Sequence, residues 1–257
     1  CEVMRYRTAA APGTDLNGDR YLKIKVVGPT NELASKLPIT FTTDGIIIEG
    51  AAVSGRGDHS VGDNQMAAAW DSDNALFDLN NRDNLIFRDL TLEFRDTGQV
   101  APTALDRVAF SGGGGSGIRI ENVHLYGFQE TSTTAHWNVA QAFVAVRSGT
   151  VSGWVIRDCS AMVSEAGLYF AGDVTGGTQC TSVQGCLIEN NTLFGAWTGG
   201  ATTNAGRGLV TLKGIADNPA QEPEPYGGII IAPTGLVIRN VVRKNTIIFF
   251  AGFGIFD

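Results

Sequence analysis

The sequence predicts an all-β chain stacked as a solenoid, and three observations carry that prediction: a recurring segment, its alternation of apolar and polar positions, and a composition rich in glycine. Five segments share one pattern, in which a small or polar residue leads into alternating apolar positions that end on Asp or Asn. They are Asn84-Leu-Ile-Phe-Arg-Asp89, Gly117-Ile-Arg-Ile-Glu-Asn122, Gly153-Trp-Val-Ile-Arg-Asp158, Gly185-Cys-Leu-Ile-Glu-Asn190 and Gly235-Leu-Val-Ile-Arg-Asn240. Their closing Asp/Asn positions lie 33, 36, 32 and 50 residues apart, and Gly45-Ile-Ile-Ile-Glu-Gly50 is an earlier copy with glycine at the bend. A pattern recurring at such a period marks a stacked architecture, because each unit buries its apolar face only against its neighbours.

The elements of one repeat follow in order from the second copy. Residues 118–121 read as a strand, Asn122 as a bend, 123–126 as the next strand, 127–141 as a loop and 142–146 as a third strand. Period-2 alternation sends Leu85/Phe87, Ile118/Ile120, Trp154/Ile156, Cys186/Ile188 and Leu236/Ile238 to one side. Coils stacked about 4.8 Å apart turn these residues into inward ladders. Asp89, Asn122, Asp158, Asn190 and Asn240 then form a polar ladder at the bend, where Asn and Asp tolerate left-handed backbone. Residues 1–40 depart from the pattern and read as an N-terminal cap or incomplete first coil, with one strand near 19–27. Residues 41–257 read as the solenoid, expected to continue past 257 because the apolar stretch 246–256 would otherwise leave an open coil.

Composition narrows the partners. The chain has 257 residues, 43% hydrophobic and 18% charged, with 33 glycines and a formal net charge of −7. Scattered basic residues exclude nucleic acid as the expected partner, since phosphate binding needs a concentrated basic surface. No apolar run reaches the roughly 18 residues of a membrane span, so no membrane partner is expected. The four cysteines (Cys1, Cys159, Cys180, Cys186) and three histidines are widely separated. Buried free thiols are therefore expected, with no metal and no cofactor; a Cys180–Cys186 disulfide is the alternative for an extracellular chain. Gly112-Gly-Gly-Gly-Ser-Gly117 matches a dinucleotide-binding string but leads into a strand, so it reads as a turn. Asp15-Leu-Asn-Gly-Asp19 starts like a calcium loop but lacks its later ligands and also reads as a turn. Residues 195–227 interrupt the repeat, and their Pro-rich acidic part is expected to protrude.

The matched repeats resemble the pectin-lyase-like superfamily, which includes many phage tailspikes, over roughly residues 40–257. The resemblance implies a single-stranded right-handed parallel β-helix with three strands per coil and a ligand groove along the third strands, here 75–79, 106–110, 142–146, 166–170 and 228–231. With Phe77, Val108, Val144 and Leu168 inward, the outward columns are Asp78, Ala109, Ala145, Tyr169 and Leu76, Arg107, Phe143, Gly167. Carboxylates on neighbouring coils lie near the roughly 5–9.5 Å that glycoside hydrolysis uses, which singles out Asp73, Asp78, Asp106 and Glu165 as candidate catalytic groups. Trp137, Phe143, Tyr169 and Trp197 are placed to stack on sugar rings, and Arg107 to bind an acidic substituent. The motif series of polygalacturonases and of pectate lyases are both missing. The expectation is therefore a structural viral, phage-type surface-appendage protein of tailspike, fibre or capsid-decoration type. It would bind a cell-surface glycan or receptor, as a homotrimer or with other virion proteins, at the virion surface or outside the cell. The alternative is a polysaccharide hydrolase or lyase using the stacked carboxylates.

Overall fold

The computed structural model describes residues 4–5, 13–14, 20–26, 30–32, 38–50, 65–69, 75–95, 108–126, 140–171, 179–195, 227–248 and 253–256. All regular structure among them is β-strand. Strands β1 (Met4–Arg5) and β2 (Gly13–Thr14) lie antiparallel to β3 (Arg20–Val26). From there on every pairing is parallel. Strands β3, β4 (Thr30–Glu32) and β5 (Ile39–Thr40) stack on β6 (Ile46–Gly50), β7 (Gln65–Ala69) and β8 (Phe77–Asp78). Strand β9 (Ile86–Arg95) covers both β6 and β7, while β10 (Val108–Ser116) follows β8. The next repeat, β11 (Arg119–Tyr126) and β12 (Ala140–Ser152), lies on β9 and β10. It is followed by β13 (Val155–Arg157) and β14 (Ser160–Ala171). Then come β15 (Cys180–Gln184), β16 (Leu187–Glu189), β17 (Thr192–Gly195) and β18 (Gly227–Ala232). The last described repeat is β19 (Leu236–Ile238), β20 (Val241–Arg243), β21 (Thr246–Ile248) and β22 (Phe253–Phe256). The product is a curled parallel sheet in which each repeat hydrogen-bonds to the one before, in four columns of pairing; β10 and β12 each run through two of them.

Two left-handed corners per repeat curl the sheet. One column holds Gly45, Asn84, Gly117, Gly153, Gly185 and Arg239, and the other Asp89, Asn122, Asp158, Asn190 and Lys244, all with φ between 52° and 67°. Four of the five expected bend residues thus occupy one corner. Asn240 does not. Val241 pairs with Leu187 and Arg243 with Glu189, which puts Lys244 at the bend. Two near-copies of the motif follow each other in 235–244, and the first stacks one column earlier than its sequence implies. Asn240 lies just inside that earlier corner, accepting from the Cys186 amide at 3.0 Å and donating to the Val183 carbonyl at 2.9 Å. Buried Asn191 does the equivalent at the second corner: it accepts from Cys159 N–H and donates to the Ile156 carbonyl and Asn245 Oδ1. Such amides satisfy backbone groups that the corner removes from the ladder.

Inside the curl runs one apolar column after another. Phe77, Phe87 and Phe110 form a cluster with ring centroids 4.8–5.3 Å apart, joined by Phe41 and Phe143. Trp154 stands edge-on to Phe170 and donates its indole N–H to the Gly115 carbonyl at 2.8 Å, so its one polar atom is satisfied in the core.

Outside the curl, stacking brings equivalent side chains together, and the charges alternate. In register along one outer column stand Glu49, Arg88, Glu121, Arg157, Glu189 and Arg243. Glu49 pairs with Arg88 and, at 2.9 Å, with Lys23; Glu189 pairs with Arg243 at 2.6 Å. Glu121 Oε1 meets Arg119 at 2.7 Å and Arg157 Nε at 2.9 Å, the latter an ion pair whose N–H lies off the hydrogen-bond line. The corner column alternates as well, with Asn122 donating to Asp89 at 2.8 Å and Asn190 to Asp158 at 2.7 Å. Two stacked carboxylates would repel across a single strand spacing.

The glycine run departs from expectation. It is not a turn: 112–115 lies inside β10, and no nucleotide-binding helix follows. The strand there threads between the turn after β8 and β12. A Cβ on Gly112 would come within 2.5 Å of Asp78 Oδ1, and one on Gly113, Gly114 or Gly115 would overlap Asn81, the Thr150 backbone or the Arg82 carbonyl. Because Gly114 faces backbone, no side chain can swing aside. Gly114→Ala is expected to lower the unfolding free energy by about 3 kcal/mol, read from the urea midpoint, with Ser116→Ala as a nearly silent control.

A second outcome concerns acid. Burial raises the Glu49 carboxyl, but hydrogen bonds from Lys23 and Arg88, helped by their charges, outweigh it and hold the group below its ordinary 4.5. A depressed folded value contributes stability that is present above the unfolded value and lost as pH falls through the folded one. Between pH 6 and 3 the wild type should lose more stability than Glu49→Gln, in denaturant titrations at each pH.

Candidate functional site

The expected ligand groove is the outer face of the column β5, β8, β10, β12, β14 and β18. Its register differs by two residues from the expected one: Phe110, not Val108, lies level with Val144. The outward column is Thr40, Asp78, Ser111, Ala145, Tyr169 and Ile230. Ala75, Val108, Ala142, Ala145, Ala166 and Ile230 form a buried apolar cluster on this face, against which half-buried Tyr169 packs. The Asp78 carboxylate accepts from the Asn80 amide at 3.0 Å and from Thr40 Oγ1 at 3.4 Å. It closes the turn that Gly112 packs against.

Phe143 is a correction. Expected to face a sugar, it is fully buried in the main core, edge-on to Phe110 at 5.5 Å. The ladder skips a rung at 109, 143 and 167 in successive repeats, so two neighbouring residues turn inward where strict alternation would send one out. Leu76, also expected outside, is fully buried in the same core. Glu165 lies in β14; its side chain is outside what the structure describes. Asp73, Asp106, Arg107, Trp137 and Trp197, with the 15–19 loop and most of the 195–227 interruption, lie outside the described residues.

A different constellation forms just past the second corner, where the outward column is Thr91, His124, Ser160, Thr192 and Thr246. Ser160 Oγ lies 2.7 Å from His124 Nδ1, and His124 Nε2 lies 3.0 Å from Asn122 Oδ1. Asn122 Nδ2 donates to Asp89 Oδ1 at 2.8 Å. That last bond fixes the others: a carboxylate only accepts, so the Asn122 amide nitrogen faces Asp89 and its oxygen faces the imidazole. Neutral His124 therefore carries its proton on Nε2, leaving Nδ1 to accept the Ser160 hydroxyl proton. Ser160 and His124 are both half-buried, and Thr192 on the next repeat is exposed. Two residues further along the same face lie half-buried Met162 and Phe194. No local motif marks this group. Its four members come from three repeats, and only the stacking register brings them together.

The described cysteines are free and buried. Burial pushes the Cys159 thiol up to about 12, against the opposing bonds of backbone groups at Val123 and Arg157. Burial likewise pushes Cys180 up to about 11, and Cys186 upward. Cys180 and Cys186 are separate thiols, each directed at a backbone carbonyl two residues away in sequence, those of Ser182 and Gln184. Among the described residues no group of three or more His, Cys, Asp or Glu could hold a metal ion, and no helix is long and apolar enough to cross a membrane. The chain matches no family model, no curated protein and no solved structure.

Thiolate is the reacting form of cysteine. At pH 8, iodoacetamide should leave Cys159, Cys180 and Cys186 unmodified in the native protein and alkylate all three in 8 M urea, as peptide mapping would reveal.

Proposed function

We propose that the chain is a stiff structural module of a viral surface appendage, of tailspike, fibre or capsid-decoration type. On this reading it is a right-handed parallel β-helix of the pectin-lyase-like kind. Right-handedness follows the near-universal rule for crossovers between parallel strands. A three-strand coil results when the two columns shared by β10 and β12 are counted as one bent strand. The module assembles as a homotrimer or with other virion proteins, and loops on its outer face bind a cell-surface glycan or receptor.

One observation carries the reading: successive repeats are locked in register by backbone ladders, corner amides and alternating charges. A rod held this way resists bending and transmits load, which suits a projecting fibre. Low charge content and glycine-rich sequence add support from composition. The viral setting is carried by likeness of architecture to the tailspike solenoids. Among the described residues, Asp78 is engaged in its turn, and no observation favours the hydrolase or lyase reading.

The test is the solution mass by light scattering, followed by glycan-array binding. A mass near three times the 27.2 kDa chain, with retention on a defined glycan, is the expected outcome. A monomer that binds no glycan would sink the proposal.

A further inference from the structure

We infer that Ser160 is an acyl-accepting nucleophile activated by His124, with Asn122 as its positioning residue, and that the group cleaves small esters with an apolar acyl part. The pattern for such a nucleophile is a hydroxyl bonded to a base that a third group orients. The three distances here, 2.7 Å from Ser160 to His124, 3.0 Å from His124 to Asn122 and 2.8 Å from Asn122 to Asp89, satisfy it link by link. The tautomer forced by Asp89 leaves the imidazole lone pair on the nitrogen that faces the serine.

Geometry around the serine assigns the remaining roles. His124 and Thr192 are its register partners on either side. The base thus stands on one flank and an exposed hydroxyl donor on the other, where it can meet an oxyanion. Two residues along the strand, roughly 6.6 Å away, Met162 and Phe194 offer an apolar bed. That bed suits a short acyl chain and not a charged one.

In the first step Ser160 Oγ bonds to the ester carbonyl carbon and its proton passes to His124 Nδ1, while Nε2–H stays on Asn122 Oδ1. The bond from carbon to the alkoxy oxygen then breaks, and the alcohol leaves with the Nδ1 proton. Water gives a proton to Nδ1 and adds to the acyl carbon. Ser160 departs with that proton, and the carboxylic acid is released. No oxidant, reductant or metal enters the balance.

The experiment uses the 257-residue chain, a fluorophosphonate probe and 4-nitrophenyl butyrate. Peptide mapping should place the phosphonyl adduct on Ser160, and His124→Gln should abolish it. Ser160→Ala should reduce ester hydrolysis to the uncatalysed rate, and His124→Gln should reduce it at least about 100-fold. Asn122→Gly, which suits the left-handed corner, should lower the rate and move the midpoint of the pH–rate profile downward; a purely structural Asn122 would leave that midpoint in place. A native protein, folded by circular dichroism, that carries no adduct on Ser160 would overturn the inference. So would Ser160→Ala turning over ester at the wild-type rate. The wild-type adduct decides the matter even where a variant fails to fold.

Discussion

The backbone ladder between successive repeats sets every other feature of this molecule. Parallel pairing in register holds each side chain about 4.8 Å from its counterpart one repeat away, so the neighbour a residue must tolerate is its own equivalent. Apolar residues gain from this, as the run from Phe77 through Phe110 to Val144 illustrates. Charges do not, and the outer columns alternate accordingly: Glu with Arg along one, Asp with Asn along the other. Half-exposed ion pairs contribute modestly to stability. Their larger effect is on register, because a slip by one whole repeat would set Glu over Glu and Arg over Arg.

The same ladder explains where backbone freedom is needed. A parallel sheet curls around a core only if the chain turns sharply at the same place in every repeat. Two left-handed positions per repeat supply those turns. Most are Gly, Asn or Asp, residues that enter this region at little cost; Arg239 and Lys244 enter it in the last described repeat. The glycines of β10 answer a different demand. There the strand passes so close to the 78–82 turn and to Thr150 that no side chain fits.

Much of the fold was legible in the sequence because alternation and corner chemistry are local. Asp89, Asn122, Asp158 and Asn190 announced their corner by residue type alone. Asn240 misled because the motif occurs twice in succession, and a lysine at a left-handed corner sends no signal. The ligand face was read less well. A two-residue error in register set Val108 level with Val144, where Phe110 stands. The repeated skipped rung sent Phe143 into the core, and strict alternation cannot foresee it. The Ser160 group was invisible for a deeper reason: residues 36 apart in sequence become neighbours only once the register is known.

That group also shows how the stacked sheet constrains chemistry. In a stacked solenoid a base and a nucleophile must share a column, and the orienting group must lie two residues back along one strand, as Asn122 does from His124. An aspartate at 122 would stabilise an imidazolium more strongly, but it would set a carboxylate directly on Asp89. The stack therefore places the neutral amide beside the ring and the charge one link behind it, where it still fixes the amide and through it the tautomer. Orientation is kept and repulsion avoided, at the expense of part of the electrostatic support that a carboxylate in contact would supply. The alternation that keeps the stack in register thus sets the strength of the base it can carry.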